Sequence, residues 1–187
     1  MTPKERAMAQ RRFQGKLNKA QGAMFEHLIE AGCNYYRQHG IADIEKTPEP
    51  MQPIKDLGGG KFIAHYTSTA QADFKGFLMG GVAVNFEAKY TDTGKMAQDR
   101  VTEDQAERLE RANQYGAHAF VLCSFGAIGF YRVPWTVWRD LKAHFGHKYI
   151  TPQEAERFKV RIGGPGVLLF LEGLEESCAA AELHHKS

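Results

Sequence analysis

The amino-acid sequence predicts one mixed α/β domain in which helices flank a central β-sheet. Segments whose apolar residues alternate with a period of two, as in strands, are interspersed with segments whose apolar residues recur every three or four positions, as in helices. The predicted order is helix, strand, hairpin, helix, strand and strand, which is typical of a mixed sheet flanked by helices. A chain of 187 residues with 43% hydrophobic residues is long enough for one buried core, and we assign residues 22–175 to it.

Residues 1–21 are predicted to form a basic and flexible N-terminal arm outside this domain. Six cationic side chains accompany a single acid there, Glu5. A segment of this charge is commonly solvated, but it also suits binding to nucleic-acid phosphates, and charge alone leaves both interpretations open. The cationic residues are Lys4, Arg6, Arg11, Arg12, Lys16 and Lys19.

The first regular elements are predicted after this arm. An amphipathic helix is expected over residues 24–40, because its apolar residues form a stripe and Gly40 suits a helix end. IADIEK predicts a short strand, and TPEPMQP, with three prolines, predicts an extended segment. Residues 55–69 hold a triple glycine between two strand-like pieces, which indicates a hairpin or a projecting loop. Its groups suited to DNA phosphates are Lys55, Lys61 and His65.

The rest of the chain supplies the remaining sheet and helices. QADFKGFLMGGVAVNFEAKY predicts two strands joined by a turn at Gly80 and Gly81. TEDQAERLERANQYG predicts a helix with Thr102 as N-cap and Gly116 as its end. HAFVLCSF and IGFYRV predict buried strands, PWTVWRDLKAHFG and TPQEAERF predict helices, and VLLFLEG predicts a strand. Residues 176–187 are assigned to a C-terminal tail.

Within the predicted hairpin, the tetrad FEAK places an acid and a lysine two residues apart in an otherwise apolar strand. The two-residue period puts Phe86 on one face, and Glu87 and Lys89 on the other. An ion pair on a solvated sheet face explains this pair as well as a site for a ligand or ion does. Asp73 opens the other strand. Because the two ends of a hairpin are adjacent, all three polar side chains are expected to meet.

The cysteines and the apolar stretches exclude several classes of protein. Cys33, Cys123 and Cys178 are odd in number and widely separated, which predicts neither a disulfide framework nor a zinc site. The N-terminus has no apolar core of a signal peptide, and the longest apolar stretch, residues 119–131, is too short to span a bilayer. We therefore expect a cytoplasmic protein without a membrane partner.

Asp73 followed by Glu87-x-Lys89 resembles the loose form of the PD-(D/E)xK nuclease motif, with Ala72 at the position of the proline. Two carboxylates from adjacent strands supply the oxygen ligands that Mg²⁺ prefers and leave positions for water and phosphate. Lys89 can orient or deprotonate the attacking water, or offset negative charge in the transition state. A motif this short also occurs by chance in proteins of this size.

A longer series of segments carries a more specific resemblance: GAMFEHLIEAGCNYY, KTPEPMQPIK, STAQADFKG, NFEAKYT, DQAERLERANQYGAHAFVLCSF and FYRVPW. Together they resemble the RecU-type Holliday junction resolvases of bacteria and their phages. The resemblance extends over about residues 22–138, and it implies a restriction-endonuclease-like core. It also implies that Asp73 and Glu87 bind the metal, and that Asp73, Glu87, Lys89 and Gln105 are catalytic. The implied cofactor is Mg²⁺, for which Mn²⁺ can substitute.

Gln105 and Glu26 each have a simpler structural interpretation, and residues 55–69 differ from the family pattern. Thr102-x-x-Gln105 is also a capping box, in which Gln105 only closes the helix end. Glu26 matches an acidic position in the family's first helix, although a solvated acid on a helix face is the simpler interpretation. The family's projecting stalk corresponds to residues 55–69, which are shorter and less basic here, so junction selectivity is less secure than cleavage chemistry.

The predicted function is therefore that of a Mg²⁺-dependent, structure-selective DNA endonuclease in recombination and repair. The resemblance implies a homodimer that acts on four-way junctions and other branched DNA, with recombinase or branch-migration proteins as further partners. One alternative is a nuclease of the same fold that acts on flaps or duplex DNA, and another is a non-catalytic DNA-binding or recombinase-regulating module. The residues assigned to DNA binding are Arg11, Arg12, Lys16, Lys19, Lys55 and Lys61.

Overall fold

The computed structural model describes residues 3–48, 50–66, 71–164 and 166–174. Helices and strands alternate along it much as the sequence predicts. The structure also contains two short 3₁₀ helices, at Gln98–Arg100 and Glu156–Phe158. In chain order the elements are α1 (Pro3–Gln38), β1 (Ala42–Lys46), β2 (Met51–Gly58), β3 (Lys61–Tyr66), β4 (Phe74–Leu78), β5 (Ala83–Tyr90), β6 (Met96–Ala97), α2 (Glu103–Gln114), β7 (His118–Ser124), β8 (Phe130–Pro134), α3 (Trp135–Trp138), α4 (Leu141–Phe145), β9 (Tyr149–Ile150), α5 (Pro152–Ala155), β10 (Ile162–Gly163) and β11 (Val167–Leu168).

A five-stranded sheet in the order β1-β4-β5-β7-β8 forms the centre of the protein. Strands β5 and β7 run parallel, and the other neighbouring strands run antiparallel. The parallel pair needs a crossover connection, which helix α2 supplies. The predicted mixed sheet flanked by helices is therefore confirmed.

Apolar side chains cover one face of this sheet and part of the other. On one face, α1 buries Phe25 and Ile29 against a row of stacked rings. The centroid of the Phe86 ring lies 5.0 Å from that of Phe74 and 4.6 Å from that of Phe120. On the other face, Leu109 of α2 packs in a second cluster with Trp135, Trp138 and the apolar residues of β7 and β8. This second face also carries the polar residues of β5.

Helix α1 begins at Pro3 rather than near residue 24. The basic segment that precedes residue 22 is rich in Ala, Arg, Gln and Lys, which are strong helix formers, and proline is tolerated in a first helical turn. The segment lacks the apolar stripe that marks a packed helix, so periodicity alone does not detect it. No break in α1 marks the boundary assigned at residue 22, and independent movement of residues 1–21 stays a prediction.

Strands β2 and β3 form a separate exposed hairpin. Every residue of β2 is exposed, and three glycines with positive φ, Gly58, Gly59 and Gly60, form the turn. The segment TPEPMQP was expected to be extended without regular structure, but Met51 and Pro53 lie in β2, where an edge strand tolerates proline. The predicted loop residues 67–69, the predicted tail and Cys178 lie outside the described residues.

Two further elements differ from expectation. The helix predicted for PWTVWRDLKAHFG consists of α3 and α4, which are separated at Arg139 and Asp140. Gln98 Nε2 donates there to the carbonyl oxygens of Trp138 and Arg139, at 2.8 and 2.7 Å, which stabilises the break. In VLLFLEG, Val167–Leu168 is a strand and the following residues form turns. In the part of the chain that the structure describes, no helix is both long and apolar enough to cross a membrane.

Candidate active site

The register of the β4–β5 hairpin brings the predicted acids together. Phe74 pairs with Phe86, so Asp73, one residue earlier, lies across from Glu87 and on the same face of the sheet. Lys89 follows two residues later on that face. Its Nζ lies 3.1 Å from Glu87 Oε2 and 3.7 Å from Asp73 Oδ2. One ammonium group therefore contacts both carboxylates.

The Glu87 side chain is fully buried, with an exposed fraction of 0%. The pair is therefore not an ion pair on a solvated face, because helix α2 packs over this part of the sheet. Burial and the neighbouring Asp73 carboxylate raise the pKa of Glu87 to about 8, and Lys89 only partly offsets them. Glu87 Oε1 has no hydrogen-bond partner among the described residues. These influences favour the protonated form of the Glu87 carboxyl group when no cation is bound.

Asp73 is the more accessible acid of the pair, with 32% of its side chain exposed. The backbone N–H of Ala88 donates to Asp73 Oδ2 at 3.0 Å, and the backbone N–H of Thr47 donates to the Asp73 carbonyl oxygen at 2.9 Å. These bonds fix the carboxylate and the backbone of a residue that lies just outside β4. The site is therefore closed at Glu87 and open at Asp73.

Gln105 makes both of the contacts between which the sequence left a choice. Its Oε1 accepts from the backbone N–H of Thr102 at 3.1 Å, which closes the capping box of α2. Its Nε2 donates to Glu87 Oε2. The capped end of α2 therefore holds the Gln105 amide against the buried acid, while its catalytic role stays a prediction.

Strand β1 contributes two residues that the sequence pattern did not indicate. Thr47, the residue after β1, lies beside Asp73, and its Oγ1 is buried with no hydrogen-bond partner among the described residues. Lys46 Nζ binds Glu26 Oε2 at 2.7 Å, so Glu26 is engaged in an ion pair on the surface. Only the pairing of β1 with β4, a contact between distant segments, places these residues near the site.

The first half of α1 is joined to the end of β5, directly after Lys89. The Tyr90 hydroxyl donates to Gln21 Oε1 at 2.7 Å, and Gln14 Nε2 donates to Asp92 at 2.8 Å. These polar contacts replace the apolar packing that the second half of α1 makes with the sheet. They attach the basic half of the helix to the end of β5, on the sheet face opposite to the one that carries Glu87 and Lys89.

The predicted DNA-binding residues lie on elements other than those of the carboxylate pair. Lys16 and Lys19 are exposed on α1, and Lys55 and Lys61 are exposed on the β2–β3 hairpin. For Arg11 and Arg12 the structure describes the helical backbone, but their side chains lie outside the described set. Contact of any of these residues with DNA stays a prediction.

The chain is similar to a known protein family and to several of its named members. A family model described as "RecU: Recombination protein U" matches residues 20–176. The chain belongs to this family. RecU proteins named Holliday junction resolvase are among its relatives: the one from Streptococcus sanguinis is 29% identical over 113 residues, which cover 57% of this chain and 56% of the relative. The one from a Geobacillus species is 28% identical over 110 residues, which cover 56% and 54%.

The RecU relatives are therefore matched over about half of their own length. Among solved structures, Hjc of Archaeoglobus fulgidus, titled a Holliday junction resolvase from an archaeal hyperthermophile, is similar with a TM-score of 0.42 and 15% sequence identity. That match covers 76% of this chain and 92% of Hjc.

Proposed function

We propose that this RecU-family protein is a Mg²⁺-dependent endonuclease that cuts four-way DNA junctions. The observation that carries the proposal is the Asp73–Glu87 pair, held across two adjacent strands with the Lys89 ammonium 3.1 to 3.7 Å from both acids. The names of the RecU relatives support the junction as substrate. Burial of an acid beside a second carboxylate is costly, and ionised carboxylates repel phosphate, so a protein that only bound DNA would gain nothing from this pair.

The carboxylate pair fits a hard divalent cation. Glu87 Oε1 is buried without a hydrogen-bond partner among the described residues, and burial together with the nearby Asp73 raises the pKa of Glu87, so a cation would relieve both costs. The described residues contain no cluster of three or more His, Cys, Asp or Glu side chains suited to a metal. Two carboxylates completed by water and phosphate oxygens are a typical Mg²⁺ shell, and Mn²⁺ accepts the same ligands. A bound ion would polarise the phosphoryl oxygen and lower the pKa of a bound water.

The side chains around the pair have separate tasks in this proposal. The Ala88 N–H keeps the Asp73 carboxylate in place, and the Gln105 amide holds Glu87 Oε2, which leaves Oε1 free to bind. Lys89 supplies a fixed positive charge that attracts the scissile phosphate and offsets charge that develops on it. On binding a cation, Glu87 would release its proton to solvent and act as a carboxylate ligand.

Symmetric cleavage of a four-way junction needs two active sites, so we propose that the protein acts as a homodimer. Exposed apolar residues on the β2–β3 hairpin, among them Ile54 and Phe62, supply a surface that a second copy can cover. Recombinase or branch-migration proteins as partners, and a cytoplasmic location, are further parts of the proposal. They rest on the family resemblance.

The test compares cleavage of a synthetic four-way junction with cleavage of a linear duplex of the same sequence, with Mg²⁺ and with chelator. Asp73→Asn is the inactive variant, and Asp99→Asn, at an exposed acid, is the matched control. We expect paired, Mg²⁺-dependent nicks in the junction alone, lost in Asp73→Asn and retained in Asp99→Asn. Cleavage of both DNAs would leave a nuclease without junction selectivity. Junction binding without cleavage would favour the non-catalytic module.

A further inference from the structure

The face of the sheet that carries the acids is only partly covered. Helix α2 packs over it beside β7, whereas its part on β1, β4 and the start of β5 has no helix above it in the described residues. We call this surface the open strip. Phe77 is its most notable member, because 58% of this aromatic side chain is exposed on the sheet face, close to the turn at Gly80 and Gly81. The open strip consists of Asp43, Glu45, Lys75, Phe77, Ala83 and Asn85.

The open strip is continuous with the candidate active site. Along β4 the residues Asp73, Lys75 and Phe77 point to the same face, while Phe74 and Leu78 are buried on the opposite one. At about 3.4 Å per residue, Lys75 lies roughly 7 Å and Phe77 roughly 14 Å from Asp73 along the strand. A DNA strand that runs along β4 from a phosphate at Asp73 would therefore pass close to both side chains.

The charges of the open strip permit a polyanion to approach. Its two acids pair with the guanidinium of Arg37. The Arg37 Nε atom lies 2.6 Å from Asp43 Oδ1, and Arg37 Nη2 lies 3.4 Å from Glu45 Oε1. Lys75 lies across from Glu45 in the sheet register and donates to the Gln71 side chain, with its ammonium exposed. Two cations thus balance two acids. The cation nearer to the site is not paired with a carboxylate in the described residues.

We propose that Lys75 and Phe77 bind the substrate DNA beside the cut, with Lys75 on a phosphate and Phe77 stacked on a base that the branch point exposes. This inference rests on the proposed function. An aromatic ring on a sheet face can stack only on a base that has lost a neighbour, since the bases of a continuous duplex are already stacked on each other. Phe77 therefore favours branched over linear DNA, whereas Lys75 binds both.

A second copy of the chain is the other possible occupant of the open strip. A protein seated on Phe77 would also cover Lys75 and obstruct the face through which a phosphate reaches Asp73. DNA has no such conflict, because it must occupy this face for cleavage. The geometry therefore favours DNA.

The experiment measures binding of a fluorescent four-way junction and of a linear duplex in the Asp73→Asn background, where cleavage is blocked. Phe77→Ala is expected to weaken junction binding roughly tenfold and to leave duplex binding unchanged, and Phe77→Trp is expected to restore it. Lys75→Ala is expected to weaken binding of both DNAs. It is also expected to reduce the slope of the logarithm of the binding constant against the logarithm of the salt concentration by about one. Tyr115→Ala, at an aromatic residue with 87% exposure at the end of α2, is the matched control.

Three outcomes overturn the inference, and they are distinguishable from one another. If wild type cuts junctions but Phe77→Ala binds them unchanged, the inference is wrong and the proposed function stands. If Phe77→Ala changes the mass of the protein in solution and not its junction binding, a second copy covers the open strip. If wild type neither cuts nor binds the junction, the proposed function is wrong and the inference is lost with it. Circular dichroism of each variant controls for folding.

Discussion

Replacement of Glu87 by glutamine is expected to stabilise the metal-free protein at alkaline pH. The pKa of this buried carboxyl is raised from 4.5 to about 8, mainly by burial and then by Asp73. The unfolded chain loses the proton near the ordinary value, and the folded protein loses it only near pH 8. Stability that is fully present below pH 4.5 is therefore lost progressively as the pH rises to 8. The shift corresponds to roughly 5 kcal/mol as an upper limit.

The Glu87→Gln side chain has no acidic proton to lose over this range and stays neutral. Its oxygen can still accept from Gln105 and Lys89, and its amide can donate to the Asp73 carboxylate. We therefore expect the variant to be similar to wild type in stability at pH 5 and more stable by about 2 kcal/mol or more at pH 8.5. Added Mg²⁺ is expected to stabilise wild type and to have little effect on the variant, because binding to the folded state alone raises its stability.

Urea unfolding followed by circular dichroism, from pH 5 to 9 with chelator, measures this difference. Glu110→Gln is the matched control, because hydrogen bonds from Trp135 and Arg139 lower the pKa of Glu110. That variant is expected to be less stable than wild type by a similar amount across the whole range. A Glu87→Gln stability difference that does not change with pH would refute the assigned state of the buried acid.

Two other substitutions test the fold and the helix cap. Gly76→Ala should destabilise the protein by about 1 to 3 kcal/mol in thermal unfolding, because a Cβ at Gly76 would lie 2.0 Å from the Asp43 carbonyl oxygen of β1. Gly94→Ala, where a Cβ meets nothing within 4 Å, should be neutral, and equal effects would contradict the close approach of β1 and β4. Thr102→Ala should lower the free energy of unfolding by about 1 kcal/mol and retain DNA cleavage in the junction assay. Gln105→Ala should lower the free energy of unfolding and also abolish cleavage. Full cleavage activity of Gln105→Ala would limit this residue to capping.

Local signals predicted much of the fold and the centre of the site. The Gly80–Gly81 turn between two alternating segments identified the β4–β5 hairpin, and its register brings Asp73 to Glu87. Long-range features were not accessible to such signals. The burial of Glu87 depends on α2 packing over the sheet, and the position of Thr47 depends on the pairing of β1 with β4. The basic half of α1 is attached by hydrogen bonds such as that between Tyr90 and Gln21, which have no periodic pattern.

The placement of the acids at the edge of the covered part of the sheet has a physical advantage for the proposed chemistry. Glu87 lies under α2, where low polarity raises its pKa and strengthens its interaction with any cation that arrives. Asp73 lies where the helix cover ends, so a polyanion can approach from the open strip. A fully covered pair would exclude the phosphate, and a fully exposed pair would bind a cation weakly because water screens it. The boundary between covered and open sheet therefore supplies strong electrostatics and access in the same site.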